Sequence, residues 1–69
     1  MKLSARNVLP GKVLQVIRGQ TTAHVKIEVS GGAIITASIT VEAADELELK
    51  HGDKAFAVIK ASDVIVGRP

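Results

Sequence analysis

Residues 22–30 constrain the fold most. There Ala23, Val25, Ile27 and Val29 alternate strictly with Thr22, His24, Lys26, Glu28 and Ser30. Successive strand side chains point to opposite faces, so the pattern describes a strand with one apolar and one wet face. Lys26 and Glu28 fall on the wet face, where solvated charges need no special role. Gly31-Gly32 is a turn signal, and residues 33–40 read as the next strand. Its Thr36, Ser38 and Thr40 share a face with Ile34; such hydroxyl rows ordinarily hydrogen-bond to their neighbours.

The remaining segments follow the same grammar. Lys12–Arg18 is rich in β-branched residues and bounded by Gly11 and Gly19. Alternation puts Val13, Gln15 and Ile17 on one face and Leu14, Val16 and Arg18 on the other, with Gly19-Gln20 as a tight reversal. Upstream, Leu3–Asn7 reads as a short extended segment with Ser4 and Arg6 on one face. Pro10-Gly11 then reads as a bend, because Pro10 fixes its own φ and Gly11 admits angles that other residues resist. The period changes at Val41-Glu42-Ala43-Ala44-Asp45-Glu46-Leu47, which holds helix formers with acids in the first turns. One short helix is expected over about residues 41–47, with Thr40 as N-cap and Gly52 allowing the chain to reverse. Lys54–Lys60 alternates again, and Val64–Val66 reads as a last short strand. Five or six strands with one helix between them imply a mainly β fold. A small OB-like antiparallel β-barrel, a single domain over residues 1–69, is the architecture expected.

Size makes a second demand. A chain of 69 residues buries only about 60% of its unfolded surface, so a single copy is marginally stable. Disulfides, a structural metal or oligomerisation are the usual remedies. No cysteine is present, and His24 and His51 stand far apart without metal-ligand spacing, which leaves oligomerisation. Aliphatic residues dominate the 46% hydrophobic content, and Phe56 is the only aromatic. That much aliphatic surface exceeds what one small core hides, and the remainder is expected at subunit interfaces. The net charge of +2 is too mild to mark a nucleic-acid or polybasic membrane surface. No apolar run reaches transmembrane length, and the first residues lack the apolar core of a signal peptide. A cytoplasmic protein is the expectation.

The chemistry-bearing residues form one group. Ser4 and Arg6 lie near the start, Thr40 before the helix, and Lys60 and Ser62 near the end, with Ala61 offering a backbone N–H. These are donors and cations, which together suit an anion better than acid–base catalysis. Taken singly each has an ordinary role: an edge strand with a wet face, or a lysine whose stem lies on apolar surface. No nucleophile stands beside either histidine, and the glycines form neither a P-loop nor a dinucleotide fingerprint. An enzyme is therefore not expected. Two further classes stay open, an OB-type nucleic-acid module and a purely structural oligomerisation module. A single phenylalanine is a poor supply of stacking surface for the first.

The run Ser4-Ala5-Arg6-Asn7, followed by Leu9-Pro10-Gly11-Lys12-Val13, resembles the start of molbindins, the Mop family of small molybdate-binding proteins, whose module is also called a TOBE domain. Ala57-Val58-Ile59-Lys60-Ala61-Ser62-Asp63-Val64 is similar to that family's second signature, and Thr22-Ala23 and Ser38-Ile39-Thr40 match between them. The resemblance covers essentially the whole chain. It implies an OB-like fold that binds molybdate or tungstate between subunits of a cytoplasmic homo-oligomer, a hexamer arranged as a trimer of dimers, for storage or homeostasis of the metal. It implies oxyanion contacts from Ser4, Arg6, Thr40 and Lys60, with Ala61 acting through its backbone and Ser62 beside it. Molybdenum is then held as an oxyanion with no directly ligated metal, no organic cofactor, no nucleic acid and no membrane.

Overall fold

The structure, a computed structural model, describes residues 1–69. Four strands, β1 (Asn7–Arg18), β2 (Thr22–Val29), β3 (Ile34–Thr40) and β4 (Lys54–Ile59), form one antiparallel sheet in the order β3-β2-β1-β4. The sheet curls into a half-barrel. One helix, α1 (Val41–Glu46), follows β3, and a single 3-10 turn, η1 (Ala61–Asp63), follows β4. The mainly β fold with its one short helix is as expected, but the strands number four rather than five or six. Val64–Val66 lies in no strand, because nothing in the chain pairs with it.

The alternation read in β2 holds: Ala23, Val25 and Ile27 are buried, and Thr22, His24 and Glu28 are exposed. Val13 on β1 and Ala57 on β4 complete the central cluster with Val25 and Ile27, while Leu9, Val16, Ile35, Ala37, Ile39 and Leu49 pack at its margin. Only six residues are buried, three of them alanines. The interior is thus small in volume for a chain so rich in aliphatic residues.

β1 departs from its expected form in two ways. It runs unbroken through Pro10-Gly11 rather than bending there, and it starts only at Asn7. β2 reaches back along β1 no farther than Gly11, so Pro10, paired with Phe56, has a neighbour on one side only and its missing N–H costs no ladder bond. Gly11 is needed for space rather than for its backbone angle: a Cβ there would stand 2.4 Å from the Glu28 carbonyl oxygen and 2.9 Å from Ile27 Cγ2. The second departure is a bulge at Leu14, where pairing steps from Val13↔Ile27 to Gln15↔Lys26. The extra residue changes which parity faces inward, so Val13 and Val16 share the core side and Ile17 is exposed. Simple alternation had grouped Ile17 with Val13.

α1 forms where the period changed. The Thr40 hydroxyl accepts from the Ala43 N–H at 3.0 Å, as the N-cap reading requires. At the other end Glu48 donates to the Asp45 carbonyl and Leu49 to that of Ala44, the paired bonds of a Schellman ending. That ending puts Glu48 at a φ of 52°, a region glycine occupies with less strain. Arg18 pairs with Asp45, tying α1 to the end of β1; both groups are largely exposed, so this contributes at most about 1 kcal/mol.

Three stability outcomes follow from this geometry, all read by urea unfolding at matched protein concentration. Gly11→Ala costs about 2–3 kcal/mol by overpacking. Gly31→Ala, at a φ of +88° but with nothing within 4 Å, costs only the backbone penalty of about 1–2 kcal/mol. Equal losses at the two sites would show that close approach is not what Gly11 serves. Glu48→Gly raises stability by up to about 1 kcal/mol, less the extra unfolded-chain entropy of glycine, and an unchanged midpoint would count against strain at that C-cap.

Candidate functional site

Antiparallel pairing of β1 with β4 brings the two chain ends together. The last register pair is Asn7↔Ile59, so Arg6 precedes and Lys60 follows a matched pair at one end of the sheet. Asn7 Nδ2 donates to the Ile59 carbonyl at 3.2 Å and pins that end. Local pattern gives Asn7 no role, because its contact depends on a partner 52 positions away.

Beyond this pair the ladder stops. β4 ends at Ile59, and Lys60, itself extended, leads into η1, where Asp63 donates to the Lys60 carbonyl at 2.9 Å. Residues before Asn7 therefore have no strand to pair with. Ser4 and Arg6 sit in bends rather than in the short extended segment expected, so strand alternation does not govern where they face. Both are exposed, as are Lys60, Ala61 and Ser62. The N–H groups of Ala61 and Ser62 open the 3-10 turn and donate to no backbone carbonyl.

The electrostatic character of this end is cationic. The one ion pair of the chain is Arg18 with Asp45, so neither Arg6 nor Lys60 is matched to an acid. The side chains of Ser4, Arg6, Lys60 and Ser62 make no hydrogen bond within the chain. One carboxylate does stand nearby, which the grouping by sequence left out: Asp63 closes the same 3-10 turn. Uncommitted donors on two adjoining segments are an arrangement that can close around an anion.

Thr40 stands elsewhere. It pairs with Thr22, beside the Arg18↔Ala23 end of β1, and its hydroxyl already accepts the Ala43 N–H. Five of the six candidates, Ser4, Arg6, Lys60, Ala61 and Ser62, are thus gathered at the Asn7 end by the β1–β4 register. The sixth is carried by a different end of the sheet. No group of three or more His, Asp or Glu side chains is placed to hold a metal ion.

Residues 3–66 match the model of the TOBE domain family. Molybdenum-pterin-binding protein 1 of Clostridium pasteurianum is 44% identical over 66 residues, which are 96% of this chain and 97% of that protein. Among solved structures, MopII from Clostridium pasteurianum shares the fold with a TM-score of 0.91 at 40% identity, over 97% of this chain and 100% of that one. The cytoplasmic molybdate-binding protein ModG, solved with molybdate bound, matches with a TM-score of 0.96 at 49% identity, over 100% of this chain and 49% of the ModG chain. With the family's model matched across nearly the whole fold and a small relative matched end to end, this chain belongs to the TOBE domain family.

Proposed function

We propose that the chain is a non-enzymatic binder of molybdate or tungstate, holding the oxyanion at subunit interfaces of a cytoplasmic homo-oligomer for storage or homeostasis of the metal. The observation that carries the reading is the β1–β4 register, which gathers Arg6 and Lys60 at one sheet end with no acid paired to either. A tetrahedral dianion is held best by several donors at once, and hydrogen bonds to a charged partner are the strong ones. Arg6 supplies a fork, Lys60 a point charge, Ser4 and Ser62 hydroxyls, and Ala61 a backbone N–H. ModG, which matches the whole chain, was solved with molybdate bound, and molybdenum-pterin-binding proteins match it end to end.

Thr40 joins this set across a subunit boundary. Its separation from the other five within one chain is the reason for placing the pocket between copies, where the Thr40 end of one sheet meets the Asn7 end of another. A hexamer built as a trimer of dimers is the assembly that the family resemblance implies. No helix is long and apolar enough to cross a membrane, and ModG is described as cytoplasmic.

Isothermal titration of the assembled protein with molybdate tests the reading. Saturable binding is expected, and either Arg6→Ala or Lys60→Ala weakens it at least about tenfold, since a hydrogen bond to a charged group contributes about 1.5–3 kcal/mol. Absence of binding heat from a parent protein whose oligomer is intact would sink the proposal.

A further inference from the structure

Asn7 is the only asparagine in the chain, and it opens β1 on the same parity as Leu9 and Val13. Like Leu9 it is half-buried. Asparagine is depleted in strands, and a half-buried carboxamide is costly unless it is hydrogen-bonded. Asn7 Nδ2 finds its partner in the Ile59 carbonyl.

The peptide to which that carbonyl belongs decides what the bond does. The Ile59 C=O and the Lys60 N–H share one planar unit, so holding the oxygen fixes the plane from which the Lys60 Cα departs. On the facing strand, the Asn7 N–H shares a peptide unit with the Arg6 carbonyl. One side chain therefore ties the peptide beside Arg6 to the peptide beside Lys60. Little else restrains this junction. The ladder stops at Asn7↔Ile59, and the bonds of η1 are local, Asp63 to Lys60 at 2.9 Å and Val64 to Ala61 at 3.3 Å. The other hydrogen bonds that involve a side chain join Arg18 to Asp45, Ala43 to Thr40 and Lys50 to Asp53, so none of them reaches residues 59–63. Lys60 carries its charge on a flexible four-carbon stem, and a turn of the peptide at its root swings the ammonium away from Arg6.

We infer that Asn7 is a positioning residue for the oxyanion site. Without touching the ligand, its carboxamide holds the Ile59–Lys60 peptide so that the Lys60 ammonium meets the same anion as Arg6. The inference rests on the molybdate reading of this end and adds to it a residue that sets affinity from outside the contact set. An Asn7 that only closed the ladder would support the fold and do nothing through Lys60, and a double substitution separates these roles.

Molybdate titration of the assembled parent, Asn7→Ala, Lys60→Ala and the double variant is the test. Asn7→Ala should weaken binding about five- to tenfold, the scale of one hydrogen bond, in an oligomer of unchanged light-scattering mass. In the Lys60→Ala background the same change should cost less than about twofold, because residues that act through one contact do not add. No loss in Asn7→Ala, or an equal loss in both backgrounds, overturns the inference. Where the Asn7 variant does not assemble, nitrogen-15 spectra of chains that keep Asn7 decide. Saturating molybdate should shift the Asn7 carboxamide signal in the parent, and the shift should shrink in Lys60→Ala. An unmoved signal in the parent, or an equal shift in Lys60→Ala, overturns the inference as well. A parent that gives no binding heat sinks the oxyanion reading and this inference with it, whereas a parent that binds while Asn7→Ala leaves affinity unchanged sinks the inference alone.

Discussion

The structure depends on a shortage of interior. Six buried residues, three of them alanines, leave little apolar area removed from water, and burial at about 25 cal/mol per Å² is the main force available to a small domain. Cysteine is absent and no metal-ligating cluster is present, so neither covalent nor metal cross-links supplement the core. The aliphatic side chains that composition promised exist, but they line an open trough or point outward from β1, β4 and the C-terminal segment. Surface of that kind is stable in water when another chain covers it. Under the proposed function, assembly would be part of how this sequence reaches a stable fold, and a site formed by assembly would inherit that dependence.

β1 organises what one copy can do alone. Of the two strands paired along both edges, it is the one that joins the next strand in sequence to the last, β2 over its second half and β4 over its first. That stagger lets Pro10 lie inside a strand and forces glycine at position 11, where the β2 backbone passes too close for a Cβ. The same stagger draws the two chain ends together. The donor run that precedes β1 and the one that follows β4 are distant in sequence, and become neighbours only because the two strands are antiparallel and matched at Asn7 and Ile59.

Much of this was legible in the residues, for identifiable reasons. β2 was readable because one face is buried and the other wet, so burial writes a period of two directly into the chain. α1 was readable from Thr40, whose hydroxyl has one geometric task at a helix start. The bulge at Leu14 was not, since it hides in a run whose two faces are both partly apolar, and no polar residue marks the slip in register. Pro10-Gly11 was misread as a bend because the usual local meaning of those residues is a turn; here an incomplete neighbour and a crowded one gave each a non-local reason. Val64–Val66 has the composition of a strand, but composition does not supply a partner. For the candidate site, residue types spoke for an anion, while the separation of Thr40 from the other five emerged only from the order of strands.

Two cations brought to one sheet end with no acid paired to either repel each other, and a protein tolerates this when the charges are hydrated or when an anion comes between them. Exposure keeps that cost low in the single chain, where Arg6 and Lys60 remain solvated. At the proposed subunit boundary the same pair would lose water, and the repulsion would grow as the effective dielectric falls. A dianion held there would convert the repulsion into attraction, so that ligand binding and assembly would favour each other by the same free energy, whichever comes first. Under the proposed function, a fold too small to stand securely alone would thus have its association strengthened by its cargo, with uncommitted donors on two segments serving as the link between them.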